Sequence, residues 1–146
     1  MLSGKTALIT GGVKNLGAEI AFQLAGQGAN LALHYNSDKS KEEAINMQRR
    51  LQDSFPKVKV VFYQANLITA AAVNGLFASV IQDFERIDIV VNTVGKVLKK
   101  AIAEISEAEY DESKLLLMLN HREYGHVASY KNGKSTKISA LFPSKI

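Results

Sequence analysis

A glycine-bearing turn set between an apolar run and an amphipathic run narrows the choice of fold more than any other feature of the chain. Thr6-Ala7-Leu8-Ile9 leads directly into Thr10-Gly11-Gly12-Val13-Lys14-Asn15-Leu16-Gly17, and Leu16, Ile20 and Leu24 then recur one helical turn apart. The order is strand, tight turn, helix. Glycines let a backbone come close to a ligand, and a helix start offers unpaired N–H groups and the positive end of its dipole. The loop from Gly11 to Gly17 is therefore expected to present its amides to a diphosphate at the carboxyl edge of a parallel sheet.

The alternation continues. A helix is expected from about Asn15 to Gln27, with Gly28 as its stop. Leu31-Ala32-Leu33 reads as a short strand closed by His34-Tyr35-Asn36-Ser37, followed by a helix with Ala44, Met47, Leu51 and Phe55 on one face, ended by Pro56. Val58 to Tyr63 is rich in β-branched residues and reads as a third strand. Thr69 is placed to cap a third helix, in which Val73, Leu76, Phe77, Val80, Ile81 and Phe84 form a continuous apolar stripe. Ile87 to Val91 is nearly all apolar, as a strand buried on both faces would be. Strands alternating with helices predict an α/β fold with a parallel sheet of about four strands. After Gly95 the rhythm loosens. Ser106-Glu107-Ala108-Glu109 has capping-box spacing and predicts a helix start, Asn132-Gly133 is a turn signal, and no period is evident beyond His121.

Charge divides the chain at the same place. Residues 1–111 carry twelve basic and twelve acidic side chains, while residues 112–146 carry six basic against two acidic, so the whole net charge of +4 falls in the last quarter. The reading is a dinucleotide-binding half over 1–111 and a divergent basic segment over 112–146, part helix and part poorly ordered. The basic tail lacks aromatic interleaving or any nucleic-acid reading module, so no nucleic-acid partner is expected. There is no cysteine, the three histidines have no ligand spacing, and no metal site is expected. No apolar run approaches the roughly 20 residues of a membrane span. No membrane partner is expected, and a cytoplasmic location is.

The ordered motifs resemble the short-chain dehydrogenase/reductases. The family's Thr-Gly-x-x-x-Gly-x-Gly turn corresponds to residues 10–17, its Asn-Asn-Ala-Gly segment to Asn92-Thr93-Val94-Gly95, and the stretch that opens its next helix to Ile105–Asp111. Asn15 stands for the middle glycine, Asn66 for an aspartate near the adenine, and Thr93-Val94 for Asn-Ala. Asparagine is the residue after glycine best able to adopt positive φ, so the turn can survive. The resemblance implies a Rossmann-like fold, incomplete relative to the family, and a nicotinamide dinucleotide. It implies binding through Gly11, Lys14, Asn15, Leu16, Gly17, Asn36, Ser37, Asn66, Leu67, Asn92, Val94 and Gly95. An acid at the end of the second strand would accept from a ribose 2′-OH. Here that position holds His34-Tyr35-Asn36-Ser37, with no acid before Asp38, and Lys14, Asn36 and Ser37 can donate to a 2′-phosphate. NADP(H) is favoured over NAD(H).

Relatives of this kind use a Tyr-x-x-x-Lys pair on a helix face, with a lysine that lowers the phenol pKa and a tyrosine that moves the proton while hydride passes at the nicotinamide. The spacing occurs at Tyr35/Lys39, Tyr110/Lys114 and Tyr130/Lys134. The first lies at the adenosine end and the second too early in the topology. That leaves Tyr130 and Lys134 as catalytic candidates, with Asn120 as relay asparagine, although Lys131-Asn132-Gly133 favours a turn over a helix. Two readings follow. One is an NADP(H)-dependent oxidoreductase acting on a small-molecule carbonyl or alcohol. The other is a truncated or mis-spliced, inactive nucleotide-binding remnant, which would self-associate or bind a partner through an exposed sheet edge.

Overall fold

In a computed structural model, which describes residues 1–95 and 104–109 and the backbone of 127–131 and 134–138, the element order begins as the alternation predicts. It runs β1 (Thr6–Thr10), α1 (Asn15–Gly26), β2 (Asn30–Tyr35), a 3-10 turn (Asp38–Ser40), α2 (Lys41–Ser54), β3 (Val60–Gln64), α3 (Ala70–Phe84) and β4 (Ile89–Asn92). The strands lie side by side in the order β3-β2-β1-β4, every pair parallel. This is the Rossmann-like arrangement, in which the chain starts in the middle of the sheet and steps outward to each side.

Strand side chains alternate between two apolar layers. Ala7 and Ile9 of β1 and Leu31 and Leu33 of β2 pack with Ala21 and Ala25 of α1 and with Ala44, Met47 and Leu51 of α2. Leu8 and Ala32, between them in sequence, point to the other face and meet Val73, Leu76, Val80 and Phe84 of α3. The sheet is thus sandwiched between α1/α2 and α3. Each fully buried leucine or isoleucine there contributes about 1.5–3 kcal/mol of transfer free energy. The Thr69 side chain accepts from the Ala72 N–H at 3.2 Å, the cap predicted for α3.

Three local expectations are corrected. Of the stripe Leu16, Ile20 and Leu24, Ile20 and Leu24 pack half-buried against the core, but Leu16 is 65% exposed, and the fully buried positions of α1 are Gly17, Ala21 and Ala25. Small residues let the helix start ride close to the sheet, which puts the larger stripe one position to the side. β4 is half-buried along its length rather than buried on both faces; among the described residues it ends the strand order and has one strand neighbour. Beyond His121, where the sequence shows no period, β5 (Val127–Lys131) and β6 (Lys134–Ile138) pair antiparallel. The Asn132-Gly133 turn signal falls between them. The capping box is present: Ser106 Oγ accepts from the Glu109 N–H at 3.3 Å, and a Glu109 carboxylate oxygen accepts from the Ser106 N–H at 3.1 Å. Among the described residues, no helix is long and apolar enough to cross a membrane.

Candidate functional site

The carboxyl ends of β1, β2 and β4 meet at the glycine turn, and the neighbouring strands grip it from both sides. Gly11 takes φ +67°, a left-handed conformation that costs glycine little. Its N–H donates to His34 Nδ1 at 3.3 Å, and the next N–H, of Gly12, donates to the His34 carbonyl at 3.0 Å. This corrects the expectation that the whole loop from Gly11 offers its amides outward: the first two are committed to β2. The donors left for a ligand come later. The first bond of α1 runs from the Ala18 N–H to the Lys14 carbonyl at 3.2 Å. The amides of Asn15, Leu16 and Gly17 therefore precede it, in the stretch of a helix start that has no intrahelical acceptor. Asn15 adopts φ +50°, the conformation its replacement of a glycine requires.

On the other side, Thr93 Oγ1 donates to the Thr10 carbonyl at 2.7 Å and lies directly under the turn. A Cβ on Gly17 would fall 2.2 Å from the Gly11 carbonyl oxygen and 2.8 Å from Thr93 Oγ1. The glycine is needed because helix start, turn and β4 end occupy one tight stack.

An open cleft of about 710 Å³ runs across these strand ends. Of the twelve residues expected to bind a dinucleotide, Gly11, Lys14, Asn15, Leu16, Gly17, Asn36, Ser37, Asn66, Leu67, Val94 and Gly95 line it. Asn92 stands behind the wall. Its Oδ1 accepts from the Val94 N–H at 3.1 Å, its Nδ2 donates to the Val94 carbonyl at 3.3 Å, and it contacts the Thr10 hydroxyl. Asn92 thus shapes the Val94–Gly95 segment instead of facing the cleft.

At the β2 end two lysines, Lys14 and Lys39, line the cleft. Lys14 Nζ donates to Ser40 Oγ at 3.0 Å and lies 4.0 Å from a Glu43 carboxylate oxygen, with half its side chain exposed. Ser37, Lys39 and Ser40 line the cleft around it. Asp38, between two lining residues, is not one of them; its carboxylate accepts from Gln64 Nε2 at 3.3 Å. No acid therefore faces the place where a ribose would sit at the end of β2, among the described residues. Such a cleft can hold a diphosphate at the start of α1 and a second anionic group beside Lys14.

Ser40 and Ile68 line the cleft and escape the sequence reading of it, while His34 and Thr93, which line it too, stand in the segments that reading named without a role of their own. Ser40 had a signal, since it is a polar residue immediately ahead of α2. His34 is 1% exposed, and its Nε2 lies 2.8 Å from the Ala65 carbonyl oxygen. Burial holds its imidazole below the ordinary pKa, an effect the bond to Ala65 partly offsets.

The catalytic candidates fare differently. Tyr130 lies on β5 paired with Ser135, and Lys134 lies on β6 paired with Lys131. The i, i+4 spacing is thus spread over two strands of a hairpin, not one helix face. Asn120 and Tyr110/Lys114 lie outside the described residues. Tyr35 and Lys39 both line the cleft, at its β2 end.

The family model described as short chain dehydrogenase matches residues 5–120. Hydroxynaphthalene reductase arp2 of Aspergillus fumigatus is 35% identical over 130 residues, which are 88% of this chain and 45% of that protein. A protein from Burkholderia cenocepacia, solved with bound NADP, is 50% identical with a TM-score of 0.71, covering 78% of this chain and 43% of that one. The L-sorbose reductase of Gluconobacter frateurii, solved with NADPH and L-sorbose, is 28% identical with a TM-score of 0.72, covering 81% and 43%. The chain thus spans less than half the length of the relatives it matches.

Proposed function

This chain belongs to the short-chain dehydrogenase/reductase family, and we propose that it is an NADP(H)-dependent oxidoreductase of that family, acting on a carbonyl/alcohol pair by hydride transfer. The observation that carries the cofactor preference is the β2 end of the cleft, where Lys14 sits on Ser40 while the Asp38 carboxylate is turned to Gln64. A 2′-phosphate there finds a cation and hydroxyl donors in place of an acid that would repel it. Within the binding half, residues 1–111, the amides of Asn15, Leu16 and Gly17 take the diphosphate, Lys14, Asn36, Ser37 and Ser40 the 2′-phosphate, and Asn66 and Leu67 the adenine side. Asn92 positions Val94 and Gly95 along the nicotinamide side. When bound, NADP(H) supplies or accepts the hydride. The proposed proton donor is Tyr130, with Lys134 and Asn120 as its family-implied partners.

A second reading, a nucleotide-binding module without turnover, is favoured by the placement of Tyr130 and Lys134 on separate strands. Titration of the chain with NADPH and NADH, followed by cofactor fluorescence, tests the site. NADPH is expected to bind more tightly. Lys14→Ala is expected to weaken NADPH by about ten- to a hundredfold, the equivalent of one charge-assisted hydrogen bond, and to leave NADH nearly unchanged. Equal affinities, unmoved by Lys14→Ala, overturn the NADP(H) assignment. NADPH consumption with a panel of aldehydes, ketones and quinones, lost in Tyr130→Phe, supports the enzyme; binding without consumption supports the module.

A further inference from the structure

His34 is buried in β2 with both ring nitrogens engaged, and the partners dictate its chemistry. A backbone N–H can only donate, so Nδ1, which receives the Gly11 N–H at 3.3 Å, is the acceptor. A carbonyl can only accept, so Nε2, 2.8 Å from Ala65 O, carries the hydrogen. The ring is therefore the neutral Nε2–H tautomer. Its own carbonyl takes the Gly12 N–H at 3.0 Å. One residue is thus fastened to the turn at the diphosphate side and to Ala65, which immediately precedes Asn66 and Leu67 on the adenine side of the same cleft. Gly11 precedes His34 by 23 residues and Ala65 follows it by 31, so nothing local in sequence sets the spacing of the two loops; the backbone also ties the second loop to β2, through the Ala65 N–H to the Tyr35 carbonyl at 3.1 Å.

We propose that His34 is a positioning residue that holds the diphosphate turn and the adenine-side loop at one fixed separation, so that the two halves of the dinucleotide bind as a unit. The inference rests on the reading of the cleft as an NADP(H) site. It implies that the two ring bonds have separable consequences. Asn in place of His34 keeps an acceptor near the Nδ1 position and lacks the reach to Ala65. Gln carries an amide N–H to the Nε2 position and gives up the acceptor for Gly11.

The test titrates the full chain, His34→Asn and His34→Gln with NADPH and with adenosine 2′-monophosphate, which reports on the adenine side alone, after thermal melts establish that each is folded. Both variants are expected to lose about tenfold or more for NADPH. His34→Asn alone is expected to lose adenosine 2′-monophosphate, and His34→Gln to keep it within about twofold. Two folded variants that bind NADPH within twofold of wild type overturn the proposal. So do variants that lose both ligands in the same proportion, because that pattern is general loosening. Ring ¹⁵N shifts of the wild-type chain give an arm that does not depend on a variant folding: the Nε2–H tautomer is expected, and the Nδ1–H tautomer overturns the proposal. A wild-type chain that binds neither ligand sinks the NADP(H) reading of the cleft and leaves the tautomer measurement to decide the tether.

Discussion

Two glycine-to-alanine substitutions in helices are expected to move stability in opposite directions, and the difference measures the close stacking under the turn. In Gly17→Ala the new methyl would lie 2.2 Å from the Gly11 carbonyl oxygen, 2.8 Å from the Gly11 carbonyl carbon and 2.8 Å from Thr93 Oγ1. The nearest two are backbone atoms, so no rotamer change relieves the overlap, and α1 must lift from the turn by about 1 Å, at a cost typical of overpacking, about 1–3 kcal/mol or more. From this is subtracted the helix-propensity gain of alanine over glycine, about 1 kcal/mol at most. A net loss of about 2 kcal/mol lowers Tm by roughly 8 °C in a chain of this size. Lifting α1 also misplaces the Asn15, Leu16 and Gly17 amides, so NADPH affinity should fall by at least tenfold. In Gly75→Ala the new methyl meets nothing within 4 Å on the exposed side of α3, and only the propensity term remains. That substitution should stabilise by about 0.5–1 kcal/mol, with NADPH affinity unchanged. Urea denaturation and thermal melts of the two variants, with fluorescence titration of NADPH, make the comparison. Adding Thr93→Ala to Gly17→Ala should not restore stability, because the Gly11 carbonyl still blocks the methyl. A Gly17→Ala chain that melts within 2 °C of wild type, or one rescued by Thr93→Ala, refutes the backbone-contact reasoning.

Thr69→Ala removes the side-chain acceptor of the Ala72 N–H. The expected loss is about 1 kcal/mol, or roughly 4 °C in Tm, with ligand affinity untouched because α3 packs on the face of the sheet away from α1. Protonation should destabilise the fold in a defined window. The folded pKa of His34 lies below its ordinary value of 6.5, chiefly from burial. The unfolded chain therefore binds the proton first. This contribution is fully present above about pH 6.5 and lost as pH falls toward the lower folded value, with a slope of at most about 1.4 kcal/mol per pH unit. The difference between wild type and His34→Gln in urea melts from pH 8 to pH 5 should carry that slope, and parallel curves would contradict it. Asp88 gives a second loss at lower pH. Burial alone would raise its pKa, but bonds from the Thr6 N–H, Arg86 and Lys5 outweigh that and hold it below 3.8, so its contribution drains away as pH falls below that value. Asp88→Asn should flatten the acid limb of the stability curve.

What could be read from the residues follows the range of the interactions that decide each feature. Period and capping are local. The 3-1-3-1-3 stripe from Val73 to Phe84 and the Thr69 cap therefore located α3, and the alternation of strands and helices gave the parallel sheet. The turn at 10–17 combines glycine, a following amphipathic run and a preceding apolar run, so most of the cleft wall was legible too. The most deeply buried positions of α1 were not, although Ile20 and Leu24 do pack on the core, because full burial is decided by how near the helix sits to the sheet. Gly17, Ala21 and Ala25 win that face by being small, a property that a search for large apolar residues passes over. Nor was the fate of the first two glycine amides legible. They are captured by a residue 23 positions on from Gly11, which the sequence places at the end of the second strand without showing what its ring would touch. A tether of this kind has no period and no partner nearby in sequence, and it appears only when β1 and β2 are laid side by side. The same reason explains the hairpin: Val127–Lys131 and Lys134–Ile138 have weak alternation, and cross-strand pairing, not the pattern within either strand, joins them. It follows that within residues 10–17, the contiguous motif on which the phosphate end of the cleft is built, Gly11, Gly12 and Gly17 should tolerate substitution least, since a Cβ there would fall 2.7, 2.9 and 2.2 Å from its nearest neighbour. The separation between the two ends of the cleft is set from another strand, β2, through the buried His34 ring and through the backbone bonds from Gly12 N–H to His34 O and from Ala65 N–H to Tyr35 O.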